Sequence, residues 1–333
     1  MVNKDLKEFM LSIIESLESE HRFGTAHVYR SALRSFTLYW SSCRGQRTPM
    51  KLRFVFTSVV LHDFEQHLKG CQLSMNTIST YIRMLRAVYN RALREKIVRY
   101  IPGLFDRLYT GTRADVKRAL LPSDMARLLA LPSLSGSKEN SVIASLSSEL
   151  QEAHKWFSLL FLLRGMPFAD LARLRKCDYH DGVISYSRQK TGRCLSVSVP
   201  KEAESLLRAC ADRNSESPYL LSILGGRGNF ESGSRMEYLR YQQVLRIFNC
   251  RLGQLSRTLS LGCKLSSYTA RHTWATLAFR RKCSVGIISN ALGHSSVKVT
   301  ETYLKPFELE ELDKTNRMII SYVKGEANKR IGI

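Results

Sequence analysis

Apolar positions recur along this chain with two different periods, and the change of period divides it. Over about the first hundred residues the spacing is helical. Leu6, Phe9, Ile13 and Leu17 predict a helix from Asp5 to Glu20, and Tyr29, Leu33, Phe36 and Trp40 predict another from Thr25 to Cys43. A shorter helix follows from about Val59 to Leu68. In Asn76 to Lys96, with Asn76 or Ser74 available as a cap, Ile78, Ile82, Leu85, Tyr89, Ala92 and Leu93 fall within one arc of roughly 100°. Helices with short connections make an all-α module, set at residues 1–105. The polar, aperiodic stretch Asp106 to Ala119 reads as a linker at 106–119.

Beyond Pro122 the pattern mixes. Ser123 to Leu131 and Glu149 to Leu163 read as helices, with a Ser/Gly-rich loop between them. Gly182 to Ser187 and Cys194 to Val199 alternate like strands on either side of Lys190-Thr191-Gly192-Arg193, which reads as a hairpin. Helical patterns then cover Lys201 to Cys210, Met236 to Leu255, Thr269 to Lys282, Val285 to Leu292 and Leu309 to Val323. This part divides into a domain at 120–308 and a C-terminal helix and tail at 309–333. The fold class is therefore mainly α with a small antiparallel sheet, in two domains.

Charge changes the picture next. The 333 residues carry 51 Lys and Arg against 29 Asp and Glu, a formal charge of +22. From His21 to His62 there are seven basic residues and no acid, and from Gln66 to Arg94 five more, again with no acid. A surface built only for solubility mixes signs. On the helix from Asn76, the basic residues Arg83, Arg86, Arg91 and Arg94 fall opposite the apolar arc, an arrangement suited to phosphates and pointing to double-stranded DNA as the partner. The longest apolar-rich run, Trp156 to Leu163, ends at Arg164 after eight residues, too short to cross a bilayer, and the residues from Met1 to Met10 show no signal peptide. A cytoplasmic protein without a membrane partner is the expectation. The eight cysteines never approach within fewer than 13 positions of one another, which excludes a CxxC zinc ribbon and argues against a disulfide framework.

Near the end stands Ser267-Tyr268-Thr269-Ala270-Arg271-His272-Thr273-Trp274. His294, in Leu292-Gly293-His294, follows Arg271 by 23 residues, and Tyr303 follows His294 by nine. The combination resembles the tyrosine recombinase (phage integrase) family, with its H-x-x-R box, its L-G-H box and a nucleophilic tyrosine nine residues on. The resemblance implies a helical SAM-like core-binding domain and a catalytic domain clamping DNA. It implies a 3′-phosphotyrosyl intermediate through Tyr303 and strand exchange through a Holliday junction, with neither metal nor any other cofactor.

Those residue types suit the chemistry. A phenol of free pKa about 10 needs positive neighbours or a base, and Arg271 and His294 are the natural ones. A guanidinium offers paired donors to two non-bridging oxygens. The resemblance gives Lys190 the role of acid for the leaving oxygen, with Arg188 and Arg193 as competitors. Two positions depart from the family pattern. Tyr268 stands where the first histidine of H-x-x-R belongs. Pro167 stands where the first catalytic arginine belongs, in Leu163-Arg164-Gly165-Met166-Pro167-Phe168-Ala169-Asp170-Leu171. Arg164, three residues earlier, is the substitute, and the turn resembles that of a bacterial subgroup with a shifted arginine. Arg173 and Arg175 are the weaker choices. A metal-dependent nuclease would need clustered carboxylates, and the acids of the second half are scattered.

The resemblance further implies a tetramer on synapsed DNA, with the C-terminal helix exchanged between subunits. A nucleoid location when bound to DNA follows, and accessory DNA-bending proteins are an open partner. Integration, excision and inversion are not distinguished. A DNA-relaxing enzyme of the type IB topoisomerase kind and a catalytically impaired DNA-binding relative are the alternatives.

Overall fold

The computed structural model describes residues 4–45, 48–112, 119–129, 143–225, 231–294, 296, 299–300, 313 and 316–321. The chain divides into two compact units. One comprises Met1–Asp115 with Phe230–Leu239, the other Val116–Asn229 with Arg240–Ile333.

The first unit holds helices α1 (Leu6–Ser19), α2 (Phe23–Arg44), α3 (Leu52–Val55), α4 (Ser58–Gly70) and α5 (Met75–Arg94). Helices α1, α4 and α5 begin where a short polar side chain takes an orphan backbone N–H, whereas α2 follows Arg22 with no side-chain cap. Asp5 accepts from Lys7, Thr57 from Val60 and Ser74 from Thr77. Ser74, not Asn76, is therefore the cap of α5. The core gathers on Phe36, whose ring lies 4.9 Å from that of Phe64 and 5.5 Å from that of Tyr39. On α5 the buried face is Ile78, Ile82, Leu85, Val88, Tyr89 and Ala92. Arg83, Arg86 and Arg94 are exposed and make no ion pair among the described residues, whereas Arg91 reaches Glu95 at 3.1 Å. The segment Phe230–Leu239 is distant in sequence but joins this unit. His21 Nδ1 lies 3.1 Å from the Gly233 carbonyl, and the rings of Phe23 and Tyr238 are 5.7 Å apart.

The second unit holds α6 (Pro122–Leu129), α7 (Ser148–Leu162), α8 (Phe168–Leu171), strands β1 (Tyr179–His180), β2 (Val183–Ser187) and β3 (Cys194–Ser198), then α9 (Lys201–Cys210), α10 (Arg235–Thr258) from Arg240 onward, α11 (Thr269–Arg280) and α12 (Val285–Leu292). The sheet is antiparallel in the order β1-β2-β3, with Ile184 opposite both Tyr179 and Val197. Asp181 and Gly182, at φ 48° and 74°, make the two-residue turn that pairs β1 with β2. Strand β1 is two residues long, too short for periodicity to reveal. Helix α7 buries Trp156, Phe157, Leu159 and Leu160, and Phe248 of α10 stacks on Phe168 with centroids 4.4 Å apart. Among the described residues no helix is long and apolar enough to cross a membrane.

Candidate active site

Arg271 sits in the first turn of α11, and the surrounding sequence fixes that turn. Thr269 Oγ1 accepts from the backbone of Ser266 at 3.0 Å, and Thr273 Oγ1 donates to the Thr269 carbonyl at 2.8 Å. The arginine points inward and is 3% exposed. Its Nη1 donates to the Gly165 carbonyl at 2.9 Å. Its Nη2 donates to the Leu292 carbonyl at 2.6 Å and lies 2.8 Å from Nε2 of His294.

Glycine is required where this arginine passes. Gly165 has φ 66°, and a Cβ there would stand 3.1 Å from Arg271 Cα. Arg164 precedes it in the same left-handed region at φ 58°. Pro167, at φ −65°, then opens α8. Arg164 is half-buried, and its Nη1 donates to the Ser196 carbonyl of β3 at 3.3 Å. The structure thus brings it to the hairpin, one residue from the carbonyl that receives Arg271. The other two candidates are engaged elsewhere. The Arg173 guanidinium stacks 4.4 Å from the Tyr241 ring centroid, and Arg175 closes a capping box with Asp178 on the 3-10 turn Lys176–Asp178.

The hairpin closes on the loop after α12. Arg188 is buried, with Nε on Asp170 Oδ2 at 3.2 Å and Nη1 on the carbonyls of Leu292 and Gly293 at 2.9 and 3.0 Å. The other oxygen of Asp170 accepts from the Gln189 backbone at 3.0 Å. Arg193 donates to the His294 carbonyl at 2.8 Å and to Asn290 at 2.6 Å. Lys190 stands exposed at the hairpin tip. Sequence reasoning weighed Arg188 as a chemical group. The structure shows it as the tie between hairpin and loop. It had no account of Asp170 as that tie's anchor, although Asp170 is the only acid between Glu152 and Asp178.

His294 is 5% exposed. Burial, then the charges of Arg271, Arg188 and Lys190, push its pKa down to about 4, so the ring is neutral near pH 7. Its Nδ1 lies 2.8 Å from Oγ1 of the fully buried Thr300. Tyr268 ends up on the outside. It is the residue before α11, makes no side-chain cap, and is 51% exposed with its ring 6.1 Å from that of His272. Tyr303 lies outside the described residues, as does most of the expected Leu309 to Val323 helix. Arg164, Lys190, Arg271 and His294 thus belong to one cationic cluster with Arg188 and Arg193. Arrayed donors around a buried neutral imidazole can hold a phosphodiester and move a proton.

Similarity to known proteins runs over most of the chain. The profile described as "Phage integrase SAM-like domain" matches residues 5–103, and that described as "Phage integrase family" matches residues 134–310. The tyrosine recombinase XerC of Bacillus licheniformis is 23% identical over 311 residues, covering 90% of this chain and 92% of its own. A Tn1549 transposon integrase structure, solved with circular intermediate DNA, superposes with a TM-score of 0.63 at 16% identity over 94% of this chain and 99% of that one. A lambda integrase dimer bound to a COC′ core site gives a TM-score of 0.59 at 14% identity, covering 92% and 100%.

Proposed function

The chain belongs to the phage integrase family of tyrosine recombinases, and from that premise we propose how its own residues break and rejoin double-stranded DNA. Tyr303 attacks the scissile phosphorus. A bond forms from its phenolic oxygen to phosphorus, and the bond to the 5′ oxygen breaks. A 3′-phosphotyrosyl link and a free 5′ hydroxyl remain. His294, neutral and with its lone pair at Nε2, takes the phenolic proton once Arg271 has turned its Nη2 from that nitrogen to the phosphate. The Lys190 ammonium protonates the leaving oxygen. Arg271 and Arg164 bind the non-bridging oxygens, where paired donors stabilise developing charge, and Tyr268 supplies one further hydroxyl. The 5′ hydroxyl of a second strand then attacks the phosphotyrosine and the steps run in reverse. The covalent link conserves the phosphodiester, so the exchange needs no external energy.

One observation carries this reading. Arg271 and Arg188 reach the Leu292 carbonyl from two different elements, which gathers both arginines and the Lys190 hairpin around the loop that bears His294. Tyr303→Phe tests it, because only the nucleophilic hydroxyl is lost. The variant binds target duplex as the parent does and forms no covalent adduct on a nicked suicide substrate. An adduct at a 3′ phosphate with Tyr303→Phe makes another residue the nucleophile.

The exposed arginines of α5 track the duplex in this reading. Four subunits synapse two duplexes, and the helix after the nucleophile docks on a neighbouring copy. In its described part, 316–321, Met318, Ile319 and Ile320 are 53%, 56% and 44% exposed, an apolar surface that a neighbouring subunit would cover. The work takes place on nucleoid DNA in the cytoplasm.

A further inference from the structure

We propose that Thr300 is a positioning residue for strand cleavage: its hydroxyl accepts the Nδ1 proton of His294 and so holds the ring with the Nε2 lone pair facing Arg271. The inference rests on the reading of His294 and Tyr303 given above. It follows from donor and acceptor identity. A guanidinium carries N–H donors and no acceptor, so the 2.8 Å approach of Arg271 Nη2 to Nε2 requires a lone pair there. A neutral ring then has its proton on Nδ1, and Thr300 Oγ1, 2.8 Å away, accepts it. Both side chains are buried, Thr300 completely, so this partner is not readily exchanged for water.

The surroundings explain why a hydroxyl serves here. Arg271 faces the ring from α11. The hairpin adds the charges of Arg188 and Lys190, with Arg193 on the His294 carbonyl, and Asp170 is committed to Arg188. An orienting carboxylate on Nδ1 would favour the imidazolium. A hydroxyl accepts the Nδ1 proton while adding no charge. The ring thereby stays a proton acceptor and also sets which edge of the Arg271 guanidinium is left for the phosphate. Thr300 lies three residues before Tyr303, so the group that orients the imidazole belongs to the segment that delivers the phenol.

The test uses the full chain with 15N-labelled histidine, the His294 signals being assigned by their loss in His294→Asn. Long-range proton–nitrogen spectra near pH 7 are expected to show a protonated Nδ1 and an unprotonated Nε2. In Thr300→Val, which keeps the shape and removes the acceptor, the Nδ1 proton loses its hydrogen bond, so its signal moves upfield and exchanges faster with water. Cleavage of a nicked suicide substrate then falls about 10- to 100-fold, the cost by analogy with a metal-bound histidine that loses its orienting partner, while duplex binding is unchanged. Thr300→Ser restores both the spectrum and most of the rate. A protonated Nε2 in the wild-type protein overturns the proposal whatever the variants do, including a variant that fails to fold. Thr300→Val cleaving at the parental rate overturns it too. Absence of any adduct in the wild-type protein would instead overturn the recombinase reading, and the spectrum distinguishes the two failures.

Discussion

Replacing Gly293 by alanine tests whether the hairpin and the His294 loop are locked as the structure has them. Gly293 ends α12 at φ 63°, ψ 40°, where a side chain costs about 1 kcal/mol from backbone conformation alone. The added Cβ would lie 2.7 Å from Arg188 Cδ and 2.8 Å from Leu195 Cδ1. Leu195 is partly buried and can turn aside. Arg188 cannot, because its guanidinium is held by Asp170 and by two carbonyls, one of them that of Gly293 itself. Relief therefore means drawing the loop away from the hairpin, an overpacking cost of roughly 1–3 kcal/mol. The sum is a loss of about 2–4 kcal/mol. Denaturant unfolding reads it in tryptophan fluorescence, since Trp156 and Trp274 lie in this unit and Trp40 alone in the other. The control is Gly286→Ala on the same helix, where the nearest atom to a new Cβ is 4.0 Å away. It should be neutral or stabilise by up to about 1 kcal/mol. Gly293→Ala unfolding within about 0.5 kcal/mol of the parent would refute the lock, since that is the scatter of inconsequential substitutions.

Arg164→Ala should lower cleavage of a nicked substrate by roughly 10²–10³-fold, as for loss of a donor to a developing oxyanion, with Arg173→Ala milder; equal rates for Arg164→Ala and the parent would discard the shifted arginine. Acid should weaken the second unit between about pH 6.5 and pH 4. In that window the unfolded chain binds a proton at His294 that the folded chain refuses, so stability rises with pH by up to about 1.4 kcal/mol per unit. His294→Asn should flatten that slope in denaturation midpoints measured across the window, and an unchanged slope would place the proton elsewhere. Duplex binding should fall about 10³- to 10⁵-fold from 50 to 200 mM salt for six to ten phosphate contacts, and Arg83→Ala with Arg86→Ala should reduce the logarithmic slope by about two. A slope untouched by that pair would take α5 off the DNA.

The helices were legible because their apolar residues repeat and their ends are marked. Val285–Leu292 and Lys201–Cys210 match the periodic reading at both ends, and Ser284 caps the former by accepting from Ile287. What escaped was either short or non-local. Strand β1 and helices α3 and α8 hold between two and four residues, about one repeat of their period, so no recurrence can show. The association of Phe230–Leu239 with the first unit rests on contacts across some 200 positions, which no window of sequence contains.

The site shows the same division between spacing and environment. Arg271 and His294 were found because a motif fixes their spacing, yet the motif is silent on what holds them in place. Gly293 reads in the sequence as a helix end, and only the packed structure shows Arg188 occupying the space its missing side chain leaves. Asp170 has no role in the sequence reading and proves to be the buried partner of that same arginine. The Pro167 departure gains a physical account in this way. A proline fixed at φ −65° can start α8 while the two residues at Arg164 and Gly165 turn through positive φ, and that turn places a carbonyl on Arg271 and an arginine against β3. Losing the guanidinium at position 167 therefore leaves the surrounding scaffold intact, with Asp170, Arg188 and the Gly165 carbonyl all still engaged. Among the described residues six other non-glycine residues share this region with Arg164, and what distinguishes Arg164 is its place, one residue from the carbonyl that holds Arg271 and against β3.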